Sequence, residues 1–166
     1  YFSRTYETYS SHQNTPYQLK DADHVGIIRK GNILYFANEL DEMYYHHGAR
    51  LHRDLFLRGL ELVHSNPMVQ TTLPSTGRVS LLHQADAKRY VVHLLFASPI
   101  QRGNCEVIED LVPLYNVPVW VDLPVHVQSA TLIPEMDELV LEESSDGVQV
   151  IVPEFCCHCA IAFYYE

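Results

Sequence analysis

From about Val69 onward, the chain changes character at every second residue. Val79 and Leu81 alternate with Ser80 and Leu82. Tyr115, Val117, Val119 and Val121 alternate with Asn116, Pro118, Trp120 and Asp122, and Cys105, Val107, Glu109 and Leu111 with Glu106, Ile108 and Asp110. Period two is the signature of strands with one face in a core and the other in water. Arg89 to Phe96 is apolar at both parities, which suits a central strand covered on both faces. Val125 to Ile133, Leu139 to Leu141, Val148 to Val152 and His158 to Tyr165 supply further runs. Turn signals separate them at Ser75–Gly77, Gln84–Lys88, Gln101–Asn104 and Ser144–Gly147, where Asp146-Gly147 marks a hairpin. About eight short strands at this spacing predict a mainly β fold, an antiparallel β-sandwich over residues 67–166. Pro118 places its strand at a sheet edge, because proline cannot donate to a ladder.

The first 66 residues follow another grammar. His24 to Ile28 and Ile33 to Ala37 are short apolar runs around a Gly31-Asn32 turn. Asn38 to His64 carries helical spacing, with Leu51, Leu55, Phe56, Leu60, Leu62 and Val63 as its apolar stripe. Gly48 bends or breaks it, and Pro67 lies beyond its end. Residues 1–23 are polar and aromatic without a period, and read as a loop packed on another surface. We therefore expect a short strand–helix α/β remnant over 1–66 and a sandwich over 67–166.

Charge narrows the partners. The formal net charge is -10, with 11 Lys and Arg in no block. That argues against nucleic acid and against an anionic membrane surface. No apolar run approaches the roughly 20 residues that cross a bilayer. The first residue is Tyr1, so the sequence reads as a piece or a processed product. Three of the four cysteines crowd into Cys156, Cys157 and Cys159, with Cys105 apart, which is not a disulfide framework. A reducing compartment like the bacterial cytoplasm follows.

The residue clusters favour no complete active site. Cys156-Cys157-His158-Cys159 invites zinc, but alternation sends His158 away from Cys157 and Cys159, and no second Cys pair exists. The expectation is no metal and no cofactor, with the cysteines as small apolar core residues. His46, His47 and His52 lack the i, i+4 spacing of a helical metal pair. Glu106, Glu109 and Asp110, and the group Glu135, Asp137, Glu138, Glu142 and Glu143, read as solvated faces. Glu109-Asp110 is the pair to watch, since a glycosidase needs two facing carboxylates roughly 5–10 Å apart.

Some segments point to a family. Arg89 to Leu95 followed by Ala97 to Gly103, then Val107 to Val117, then Val148 to Pro153 and the closing strand from His158, resemble the C-terminal sandwich of bacterial glycoside hydrolases of the β-galactosidase and α-L-fucosidase type. Upstream, Gly31 to Leu40, Tyr45 and the helix over 50–63 resemble the last strand and helix of a flavodoxin-like trimerisation domain in those enzymes. The resemblance implies that the catalytic acid and nucleophile lie in an N-terminal β/α barrel outside these residues. It carries no catalytic residue onto this chain. It implies the rest of such an enzyme as the partner, and a parent acting on galactosides or fucosides.

Three functions follow in order. The first is an accessory and assembly module of a glycoside hydrolase. The second is a carbohydrate-binding sandwich, with Trp120 as the stacking residue beside Asn116 and Asp122; Tyr115 falls on the opposite parity from Trp120, so the two cannot share a platform. The third is a small stand-alone enzyme. The helix stripe demands cover, and either the sandwich or a second copy of the chain would provide it.

Overall fold

The alternating runs fold into the expected sandwich. In the computed structural model, residues 2–4, 17–21, 23–144 and 147–166 are described. The chain divides into two units, one ending at Asn66 and one spanning Pro67–Glu166.

The first unit contains β1 (Phe2–Arg4), β2 (Tyr17–Asp21), β3 (Ile27–Lys30), β4 (Ile33–Phe36), α1 (Leu40–His47) and α2 (Arg50–Val63). β1 pairs with β2, so part of the segment expected as loop is strand; the remainder of residues 1–22 lies outside the described residues. β3 and β4 form an antiparallel hairpin around Gly31-Asn32, with Lys30 opposite Ile33. Two residues can join only antiparallel neighbours, so these strands are not successive members of a parallel, flavodoxin-like sheet. The single expected helix is two, broken at Gly48. That residue sits at φ 62 and its N–H donates to the Tyr44 carbonyl, a left-handed C-cap that glycine adopts without strain. α2 meets the hairpin through Gly59, whose bare backbone admits the Phe36 ring and Leu34, while Phe56 stacks on Phe36 at 5.8 Å between centroids.

The second unit contains β5 (Val69–Thr71), β6 (Arg78–Gln84), β7 (Arg89–Leu95), β8 (Ile100–Arg102), β9 (Cys105–Val107), β10 (Leu114–Val121), β11 (Val127–Ile133), β12 (Asp137–Leu139), β13 (Glu142–Ser144), β14 (Gly147–Phe155) and β15 (His158–Tyr165). Two antiparallel sheets, β13-β14-β10-β5 and β12-β11-β15-β7-β6, enclose the core. Val92 and Leu94 of β7, Val119 and Val121 of β10, Val150 and Val152 of β14, and Ile161 and Phe163 of β15 are fully buried there. Each such side chain stabilises the fold by about 1.5–3 kcal/mol relative to exposure. β7 is central, as its two apolar parities predict, with β6 and β15 on either side.

Two readings need correction. The run from Cys105 to Leu111 is strand only as far as Val107, in a small hairpin with β8; Ile108, Leu111 and Val112 are exposed and unpaired with any sheet. β10 is internal rather than an edge, because β5 pairs with Val119–Val121 and β14 with the whole strand. Pro118 is tolerated because three-residue β5 pairs only beyond it. The Thr71 hydroxyl donates to the Pro118 carbonyl at 2.9 Å, so the side of β10 that lacks an N–H is also the side where β5 ends.

Candidate functional site

β10 presents its outer face through the residues between its buried valines. Val117, Val119 and Val121 point into the core, and Trp120 lies half-buried on the outer face. Asn116 and Asp122 are exposed. Successive outward residues on a strand stand about 6.5–7 Å apart, so Asp122 borders Trp120 while Asn116 lies about 13 Å away. By that spacing Asp122, just past the end of β10, is the nearer of the two to Trp120, and Asn116 is not brought to it.

Asn116 does something else. Its backbone sits at φ 51, in the left-handed region that asparagine tolerates better than most residues. The inward parity changes there, since Leu114 and Val117 both pack against the core although they are an odd number of positions, three, apart. Tyr115 is therefore left 60% exposed rather than turned inward as strict alternation requires. It lies opposite Glu154, whose charge pushes the phenol above its ordinary range.

Trp120 has two neighbours that sequence reasoning missed. Gln70 of β5 stands directly opposite it on one side and Gln149 of β14 on the other, with Glu142 of β13 opposite Gln149. One row, Gln70–Trp120–Gln149–Glu142, thus crosses all four strands on the outer face. Among the described residues, none of these four side chains makes an intramolecular hydrogen bond or ion pair, so an indole N–H, two amides and a carboxylate stay available. The sequence signal was an amide between two β-branched residues in Val69-Gln70-Thr71 and Val148-Gln149-Val150. The register that aligns them is not readable from sequence.

The outer face of the five-stranded sheet is chemically different. Val91, Ala160 and Ala162 are buried there, packed with Ile133 and Tyr164, and Leu82 and Leu95 are exposed beside them. At one end Arg78, Ser80, His93, Leu95 and His158 line a shallow groove.

The other candidates separate. Glu109 accepts from the Arg102 guanidinium through both oxygens, at 3.0 and 2.7 Å. That contact holds its carboxyl below the ordinary range, so it stays ionised and is a poor general acid. Only one tail cysteine is a core residue: Cys159 is buried in β15, whereas Cys156 is exposed and Cys157, at φ 63, lies in the turn between β14 and β15. The turn takes Cys157 out of the strand alternation expected of it, and neither Cys156 nor Cys157 is a core residue. His158 faces away from Cys159, and among the described residues no group of three His, Cys, Asp or Glu converges as a metal site. On the helices, His46 lies 3.7 Å from Glu42, and the buried Nδ1 of His52 has no hydrogen-bond partner. Among the described residues no helix is long and apolar enough to cross a membrane.

The fold of residues 67–166 defines the class: a mainly β protein built on a two-sheet antiparallel sandwich. Over its full length the chain is similar to a solved structure, alpha-L-fucosidase isoenzyme 2 from Paenibacillus thiaminolyticus, with a TM-score of 0.87 and 34% identity. The match covers 100% of this chain and 26% of that one, so the chain spans about a quarter of its neighbour's length. No family model matches the sequence, and no curated protein matches it.

Proposed function

We propose that this chain is a non-catalytic accessory and assembly module of a glycoside hydrolase, from the C-terminal side of a parent that acts on fucosides. One observation carries the reading: all 166 residues, at 34% identity, correspond to a quarter of a fucosidase chain. That coverage supports a module of a larger enzyme over a small stand-alone relative. The parent's catalytic pair would then lie in the remaining part, a β/α barrel, which is also the module's principal partner. The boundary at residue 66 would separate an assembly segment from the sandwich. Exposed Leu51, Leu57 and Leu62 on α2 favour an oligomeric parent or close packing on its barrel. Four free cysteines suit a reducing bacterial cytoplasm. The test is hydrolysis of p-nitrophenyl α-L-fucoside. The chain alone is expected to give no turnover, and a parent reading frame truncated at this segment to lose activity or assembly. Turnover by the chain alone, abolished by Glu109→Gln, would overturn the reading.

A second reading is favoured by the row at Trp120: the sandwich binds carbohydrate. It is compatible with the first, because an accessory module can hold substrate for its parent.

A further inference from the structure

We propose that the outer face of the four-stranded sheet is a shallow platform for a neutral sugar, with Trp120 as the stacking plane and Gln70 and Gln149 as flanking amide arms. This rests on the carbohydrate-binding reading and names its site and ligand class. An aromatic ring on a sheet face offers a flat apolar surface to the C–H side of a pyranose. Pro118 and the 43% exposed Ile151, opposite each other in the next outward row, extend that surface toward a methyl or C–H edge. Each glutamine offers one acceptor and two donors, the combination that reads vicinal hydroxyls. Directly opposed residues on neighbouring strands lie within roughly 5 Å. The four-residue row is thus roughly 14 Å long, the reach of a disaccharide.

Electrostatics selects the ligand. No Lys or Arg takes part in the row, and Glu142 ends it while Asp122 borders it. A uronate or sialate would meet carboxylates there without a counter-charge. The two outer faces also differ from each other. The five-stranded sheet buries Val91, Ala160 and Ala162 of its outer face beneath Ile133 and Tyr164 and exposes Leu82 and Leu95 beside them, an apolar face suited to packing against protein. The four-stranded sheet turns out uncommitted hydrogen-bonding groups around one aromatic ring. Burial under an apolar partner would leave those groups unpaired, at real cost; sugar hydroxyls can pair with them.

Trp120 is the sole tryptophan, so its fluorescence reports the site directly. The full chain would be titrated with methyl α-L-fucoside, methyl β-D-galactoside, lactose and, as the charged control, galacturonate. We expect a saturable shift with at least one neutral sugar in the millimolar range, and none with galacturonate. Calorimetry on Trp120→Ala should show binding abolished. Gln70→Leu and Gln149→Leu, surface changes that leave the core intact, should each weaken it about three- to tenfold. Matching melting curves would confirm that the variants fold. No saturation by any neutral sugar up to about 50 mM would overturn the platform, given millimolar affinities for such contacts. So would equal binding of galacturonate. Sugar binding unchanged in Trp120→Ala and Gln149→Leu would also overturn it, while leaving the broader carbohydrate-binding reading intact.

Discussion

His93 and His158 meet edge to edge across the β7–β15 ladder, with Nδ1 of the first 3.1 Å from Nε2 of the second. The rings are nearly coplanar, at 16°, and their centroids are 5.4 Å apart, the hydrogen-bond length plus one ring radius at each end. The nitrogens therefore point straight at each other, which is the geometry of a shared proton rather than of a stack. One ring must donate and the other accept, so the contact fixes complementary tautomers on the two rings. A double-mutant cycle with His93→Ala and His158→Ala should give a coupling of about 0.5–1 kcal/mol, because both rings are partly open to water. Purely additive losses would show that the contact is incidental.

Gly147 begins β14 where the carbonyl of Val121 leaves no room for a β-carbon, and its φ of 124 is one that L side chains rarely adopt. Gly103 also has positive φ, at 58, but open space around it. Replacing each by alanine separates the two costs. Gly103→Ala should lose about 1 kcal/mol from backbone strain alone. Gly147→Ala should lose more than about 2 kcal/mol, since strain and backbone overlap add. Equal midpoints in urea for the two variants would contradict this.

Burial pushes the Cys159 thiol up to about 12, with the charge of Glu135 adding to the shift. Under native conditions an aromatic disulfide reagent should label Cys105 and Cys156 quickly, Cys157 more slowly, and Cys159 only after unfolding. The same shift sets a pH dependence. A thiol kept neutral in the fold but free to ionise when unfolded contributes fully below its unfolded value near 9. That contribution disappears as pH rises toward 12. Cys159→Ala should therefore lose less stability than the parent chain between about pH 9 and 12. Parallel losses in the two proteins would show that Cys159 is not responsible.

Protection from amide exchange should differ sharply between elements. β7, β10 and β15 are paired on both sides and carry most of the fully buried side chains. On α2 the only buried residue is Gly59, while Leu51 is 74% and Leu62 53% exposed. The helix amides of the isolated chain should exchange well before those of β7. Equal protection would mean that something covers the α2 stripe in solution.

Legibility in the sequence followed the number of partners each residue has. β7 was readable because apolar residues at both parities demand cover on both faces. The Gly31-Asn32 hairpin was readable, and so was Gly48 as a bend or a break, because each rests on a local backbone property. The run at Cys105–Leu111 was over-extended because alternation describes one strand and cannot show that no neighbour arrives. Pro118 suggested an edge for a sound reason, but what matters is where β5 stops, and strand length sets that. At the candidate site, Trp120 and Asp122 were visible as strand neighbours. Gln70 and Gln149 were not, because 50 and 29 residues of chain separate them from Trp120 and only the register joins them. The left-handed turn of β10 at Asn116 was likewise hidden, and it alone decides where Tyr115 goes.

The lengths of the outermost strands also govern how the sandwich behaves in a crowd. β5, β12 and β13, which border the sheets on three sides, have three residues each. So short a row of open N–H and C=O groups is a poor template for an incoming chain. The fourth border, seven-residue β6, carries Arg78 at its start but also the exposed Val79 and Leu82. Fibril growth or strand exchange between copies, when this protein is stressed, should therefore begin at β6, and a lysine in place of Leu82 should suppress it.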